Sequence, residues 1–144
     1  MPTSSLATRP GVRNKLSAYA RVEVETQIYE ADPHRLILML MDGFLDAVAR
    51  ARGALRDGNV QVKGESICKA TRIIGEGLQT ALDIPRGGKL AEDLDALYDY
   101  IVIKLTKANL HSDDAAMAEC ADLLRPIREA WAAIAPTKVS DQAS

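Results

Sequence analysis

Apolar residues recur every three or four positions along most of the chain after position 32, which is the period of an amphipathic helix. Four such stretches are separated by short polar connections that contain glycine, proline or aspartate. The pattern predicts a first helix over 33–56, a second over 59–83 and a fourth over 113–134. The third helix is expected to follow a turn at 86–88 and to be closed by residues 109–112. Each helix has one apolar stripe to bury, so the four predict a shared core.

Residues typical of helix ends support these boundaries. Asp32 followed by Pro33 predicts a helix start, because the carboxylate can accept from a free N–H and proline is tolerated at the first helical position. Asp57-Gly58 predicts the end of the first helix, and Asn59 can cap the second. Pro85 ends the second, because proline disfavours helical geometry in the residue before it. Long helices with short connections predict an all-α fold, an antiparallel up-down four-helix bundle.

The ends of the chain lack this pattern. Residues 1–18 mix Ser, Thr, Pro and Gly with three basic residues and are expected to form a flexible basic arm. Residues 19–29 predict a short helix or an extended cap segment against the bundle. The helical-bundle domain is expected to cover 19–135, and the polar residues 136–144 a disordered tail.

Several helices carry more large apolar residues than one buried face requires. A second stripe on the first helix and further positions on the second and third lie outside the main stripes: Leu38, Met41, Leu45, Val62, Ile73, Tyr100 and Ile103. Met39 stands apart among charged residues and is expected to be exposed. Two explanations remain open. These side chains pack against the N-terminal segment, or they form a groove that receives amphipathic helices from another protein.

Composition narrows the possible functions. The chain has 144 residues and a formal net charge of −2, which gives no electrostatic case for nucleic-acid binding. Its apolar runs are too short to span a bilayer and its start does not resemble a secretory signal, so we expect a cytoplasmic protein that does not insert into membranes. Cys68 and Cys120 lie far apart in the sequence, and we expect both to be reduced and half-buried.

The sequence gives little support to an enzyme. His34 near a helix start and His111 in a turn are read as solvated or capping residues, because neither has a nucleophile or a second base at a suitable spacing. We expect no catalytic residue, no metal site and no cofactor. The alternative is a histidine phosphotransfer domain, which is also a four-helix bundle but carries its histidine midway along an exposed helix face.

The order and spacing of several sequence blocks resemble the FliS family of flagellin export chaperones. The blocks are Tyr19, "DPHRLILMLMDG" at 32–43, "GGKLAEDLDALYDYI" at 87–101, "KLTKANLHSD" at 104–113 and "LLRPIREAW" at 123–131. The resemblance implies a cytoplasmic bundle that binds the C-terminal segment of flagellin, prevents premature polymerisation and aids delivery to the flagellar type III export apparatus.

The resemblance also decides between the two explanations of the extra apolar residues. It implies that they bind flagellin, with the segment around Tyr19 lying over part of the groove in the free protein. The expected partners are the flagellin C-terminal segment and the export gate, with a homodimer possible. The residues expected to contact flagellin are Tyr19, Ile28, Leu38, Met39, Met41, Leu45, Val62, Ile73, Tyr100 and Ile103.

Overall fold

The computed structural model describes residues 32–134, all of them in helices or short connections. Helix α1 spans Pro33–Arg56, α2 Val60–Arg72, α3 Ile84–His111 and α4 Asp114–Ala133, and a π-helical segment at Ile73–Gln79 continues α2. The predicted all-α fold is confirmed. The arm at 1–18, the cap segment at 19–29 and the tail at 136–144 lie outside the described residues.

Side-chain caps define the helix starts. Asp32 accepts a hydrogen bond of 2.8 Å from the Arg35 amide, with Pro33 in the first turn as predicted. Asn59 accepts from the Val62 amide at 3.0 Å, and Asp113 caps α4 in the same way. Each cap satisfies an amide that has no partner within its helix.

Two boundaries differ from the prediction. The second helix changes from α to π geometry at Ile73, in a segment that contains two glycines. The third begins at Ile84, before the residues expected to form a turn, with Pro85 in its first turn and Asp83 as its cap. Its backbone breaks at Gly88, whose φ of 59° is favourable for glycine. The turn predicted at 86–88 is therefore a break within α3 and not a separate connection.

The helices pack as a closed ring, in which α1 and α3 each contact both α2 and α4. The contacts between α2, with its π-helical continuation, and α3 show that these neighbouring helices run in opposite directions, as in an antiparallel bundle. Lys63 near the start of α2 meets the end of α3, whereas Gln79 meets Asp95 near the start of α3. The largest fully buried side chains are Phe44, Val48, Ile73, Ile74, Leu78, Ile101, Leu105, Met117, Cys120 and Leu124.

Two bidentate ion pairs join α1 to α4. Arg52 donates to both carboxylate oxygens of Asp114, at 2.8 and 3.0 Å, and Arg128 donates to those of Asp42 at 2.8 and 3.3 Å. The hydrogen bond from Arg52 holds the pKa of Asp114 below its ordinary value. These pairs join α1 and α4 at two separate points.

Lys63 is a buried cation, with only 5% of its surface exposed. Its Nζ donates to the Asn109 carbonyl at 3.0 Å and to the Ser112 hydroxyl at 2.8 Å. These groups lie at the carboxyl end of α3, where carbonyls lack helical partners and a positive charge is favourable. Lys63 therefore caps α3 from a neighbouring helix.

Candidate functional site

The structure divides the predicted contact residues into four groups: outside the described residues, in the core, half-buried and exposed. Tyr19 and Ile28 lie outside the described residues. Met41 and Ile73 belong to the core, with 2% and 1% of their surfaces exposed, so the prediction that they lie outside it is wrong. Met39 and Leu45 are half-buried and pack against the core. The expectation that Met39 is exposed is therefore wrong.

The burial of Ile73 and Met41 has a packing explanation. The Ile73 side chain fills the space beside Gly43 of α1, where an added Cβ would lie 3.5 Å from the Ile73 Cδ1 atom. Met41 is buried because α1 contacts α2, the π segment and α4, which requires a buried arc wider than one stripe. Neither side chain can meet a partner while the bundle keeps this packing.

The exposed apolar side chains concentrate on α3. Tyr100 is 42% exposed and Ile103 is 55% exposed, in agreement with their predicted position outside the core stripe. Leu110, one heptad after Ile103, is also exposed, and the sequence interpretation missed it by assigning it to the helix end. We call Tyr100, Ile103 and Leu110 the α3 outer face. On the other helices, Leu38 and Val62 are half-buried.

A polar network holds Tyr100 in place on this face. The Tyr100 hydroxyl donates to Glu119 of α4 at 2.6 Å, and the Lys104 Nζ atom lies 3.2 Å from the same carboxylate. These interactions hold the pKa of Glu119 below its ordinary value, and the bond to Glu119 raises that of Tyr100. The carboxylate is therefore charged, and the phenol protonated, at neutral pH.

An open groove of about 460 Å³ lies at the end of the bundle where α1 and α3 begin and α4 ends. We call it the end groove. Its apolar walls include Leu82, Leu90, Ala91, Leu94, Trp131 and Ile134. Leu90 shares the spacing of the buried α3 residues Ile101, Leu105 and Ala108, yet it is 68% exposed here. The sequence interpretation did not predict this groove.

One wall of the end groove is formed by His34 and Trp131. Their rings stack with centroids 5.1 Å apart and planes 14° apart. The His34 Nε2 atom donates to the Trp131 carbonyl, and the Trp131 indole N–H donates to the His34 carbonyl, both at 2.8 Å. We call this pair the His34–Trp131 clasp. The expectation that His34 is a solvated or capping residue is wrong, since it joins the start of α1 to the end of α4.

The His34–Trp131 clasp argues against the histidine phosphotransfer alternative. That chemistry requires an accessible histidine nitrogen, but the His34 Nε2 atom is already hydrogen-bonded to the Trp131 carbonyl. His111 is exposed at the last position of α3 rather than midway along a helix. Neither histidine has the placement that a phosphotransfer domain requires.

Within residues 32–134, no cluster of three or more potential metal ligands is present. The expectation of two half-buried cysteines is wrong, because Cys68 is exposed and Cys120 is buried. Burial raises the pKa of the Cys120 thiol to about 12, so little reactive thiolate forms there at neutral pH. No helix in the same range has both the length and the apolar character to cross a bilayer.

Comparisons with known proteins agree with the sequence blocks. The family model described as flagellar protein FliS matches residues 15–138. The flagellar secretion chaperone FliS of Salmonella typhimurium is 46% identical over 129 residues, which cover 90% of this chain and 95% of that protein. FliSB of Pseudomonas aeruginosa, also named a flagellar secretion chaperone, is 43% identical over 116 residues, covering 81% of this chain and 91% of that protein. The chain therefore belongs to the FliS family of flagellar secretion chaperones.

Proposed function

We propose that this protein is a cytoplasmic, flagellin-specific export chaperone without catalytic activity. It binds the C-terminal segment of flagellin, prevents its premature polymerisation and aids its delivery to the export gate of the flagellar type III apparatus. The observation that carries the proposal is the α3 outer face, where large apolar side chains remain exposed beside a well-packed core. Exposed apolar side chains grouped in this way are typical of an interaction surface.

The chemistry of the surface suits an amphipathic helix. Tyr100, Ile103 and Leu110 lie on one side of α3, so they present apolar side chains to a partner helix laid along α3. A client segment that is disordered when free pays an ordering cost on binding, so its contact area must be extensive. The end groove, with exposed Leu90 and Ile134, offers additional apolar area.

The proposal is tested by isothermal titration with flagellin from the same bacterium, both full length and lacking the C-terminal segment. We expect tight binding to the full-length protein alone, with a negative heat-capacity change from apolar burial. Binding of equal affinity to both forms would refute the C-terminal site. Absence of binding to either would refute flagellin as the client.

A matched pair of variants locates the contact. Ile103→Asp places a charge on the α3 outer face and is expected to weaken binding at least about 10-fold, the loss associated with a central apolar contact. Cys68→Asp makes a change of similar polarity at an exposed position on α2 and is expected to leave the affinity unchanged. Equal affinities for both variants would exclude the α3 outer face.

The half-buried stripe on α1 is a second part of the proposed site. Leu38 is a better test position than Leu45, because Leu45 also packs against the core. Leu38→Ser is expected to weaken flagellin binding while the free energy of unfolding changes little. An unchanged affinity in the folded variant would remove this stripe from the site.

Two further measurements test delivery and self-association. In cells, Ile103→Asp should reduce secreted flagellin as well as binding; normal secretion would refute the role in delivery. Light scattering on the free protein determines whether the α3 outer face instead joins two copies. A dimer that Ile103→Asp dissociates, without any loss of flagellin affinity, would assign this face to self-association.

A further inference from the structure

The polar interactions around Tyr100 leave its ring, rather than its hydroxyl, available to a partner. The hydroxyl hydrogen is already donated to Glu119 across the interface between α3 and α4, at 2.6 Å. The Lys104 Nζ atom lies 5.7 Å from the centroid of the Tyr100 ring and also pairs with Glu119. The hydroxyl end of the side chain is thus fixed at the neighbouring helix, while 42% of the residue stays exposed.

An exposed tyrosine is ordinarily free to rotate, and ordering it on binding costs free energy. Here the hydrogen bond to a charged carboxylate is of the stronger kind and restrains the ring before a partner arrives. Tyrosine supplies a large contact area with few rotatable bonds, which is why it is enriched at the energetic centres of interfaces. A restrained Tyr100 ring therefore has the properties of a preformed apolar anchor.

We infer that Tyr100 contacts the flagellin segment through its ring, against an aliphatic or aromatic client side chain, and that Glu119 is the positioning residue that sets the ring's orientation. This inference rests on the proposed function and adds to it the chemistry of one contact. It excludes a hydrogen bond from the Tyr100 hydroxyl to the client. Glu119 itself acts through Tyr100 and does not touch the client.

Titration calorimetry with the flagellin C-terminal segment tests the contact. Tyr100→Ala removes the ring and is expected to weaken binding on the order of 30-fold, as at an interface hot spot. Tyr100→Phe keeps the ring but loses its restraint, and we expect a loss of about 3-fold, the scale of ordering one side chain. A loss for Tyr100→Phe as large as that for Tyr100→Ala would overturn the inference, because the hydroxyl would then bind the client.

A double-mutant cycle tests the role of Glu119. Glu119→Ala is expected to weaken binding about 3-fold in the natural sequence and not at all in the Tyr100→Phe background, because both changes remove the same restraint. An equal loss in both backgrounds would show that Glu119 acts independently of Tyr100. A loss of affinity that follows a loss of unfolding free energy across the variants would show a structural role only.

A measurement without the client tests the restraint itself. The ionisation of Tyr100, followed by NMR of its ring carbons, should shift to lower pH in Glu119→Ala, because Glu119 raises the pKa of Tyr100. An unchanged titration would overturn the positioning role. If the unaltered protein fails to bind flagellin, the proposed function fails. If it binds normally and Tyr100→Ala binds equally well, only this inference fails.

Discussion

The buried cation at position 63 allows a sharp test of how the bundle is held together. Replacing Lys63 with methionine keeps the length and apolar character of the side chain but removes its charge and its two hydrogen bonds. The Asn109 carbonyl, which is partly buried, then loses its partner, whereas the exposed Ser112 hydroxyl can turn to water. The carboxyl end of α3 also loses a favourable positive charge.

The lost interactions of Lys63 give the expected change in the free energy of unfolding. An unsatisfied, partly buried acceptor costs about 1–2 kcal/mol, and loss of a cation at a helix end costs about 1 kcal/mol. The variant gains back about 1 kcal/mol, because methionine avoids the cost of removing an ammonium group from water. The free energy of unfolding should therefore fall by about 1–2 kcal/mol, the balance of these contributions.

Urea unfolding followed by circular dichroism measures this change. The midpoint should fall while the slope of free energy against urea concentration stays the same, since both proteins expose similar surface on unfolding. Lys107→Met, at an exposed position on α3, is the control and should leave the midpoint nearly unchanged. If Lys63→Met is as stable as the natural protein or more so, the desolvation cost exceeds the capping contribution and the reasoning is wrong.

Two more predictions rest on the structure and a third on the family resemblance. A thiol reagent at neutral pH should modify Cys68 rapidly and Cys120 only after unfolding; rapid modification of both in the folded protein would contradict the burial of Cys120. Asp114→Asn should lower the free energy of unfolding at pH 7 by under about 1 kcal/mol, because the pair with Arg52 is partly solvated. Since the pair holds the folded-state pKa of Asp114 below 3.8, this difference should disappear as the pH falls through and below 3.8, and a difference that persists there would refute the assignment. Removing residues 1–20 should raise flagellin affinity or binding of a hydrophobic dye if that segment covers the client surface, and no change in either would argue against a cover.

The helix boundaries are the part of the fold that local sequence determines most directly. Asp32 and Asn59 cap helices as predicted, because a carboxylate or amide side chain satisfies amides only three residues away. Asp113 caps α4 in the same way, one residue before the helix begins. Such contacts depend on a few adjacent residues. The all-α class follows for the same reason, because each apolar stripe is visible within one helix.

Packing between helices is where prediction from one sequence fails. Ile73 is buried against α1, where its Cδ1 atom lies beside Gly43, 30 positions earlier, and a count of apolar periods within one helix cannot include that neighbour. The His34–Trp131 clasp joins residues 97 positions apart. The exposure of Leu90 likewise depends on how α3 and α4 lie around the end groove, and not on its position within the stripe.

The α3 outer face could be predicted in part, because some of its features are local to one helix and others depend on packing between helices. Tyr100 and Ile103 were identified because they lie off the apolar stripe of a long, regular helix, and that local geometry holds in the structure. Leu110 was missed because residues 109–112 were expected to close the helix, whereas α3 continues to His111. Glu119 could not be connected with Tyr100 from sequence, because their contact depends on the packing of α3 against α4.

The clasp has a practical consequence for studies of this bundle. Trp131 is the one tryptophan in the chain, so intrinsic indole emission reports on a single location, the end groove. Circular dichroism instead averages over all the helices. If the two signals change at the same urea concentration, the bundle unfolds as one unit; an earlier change in emission would show that the end holding α1 to α4 opens first.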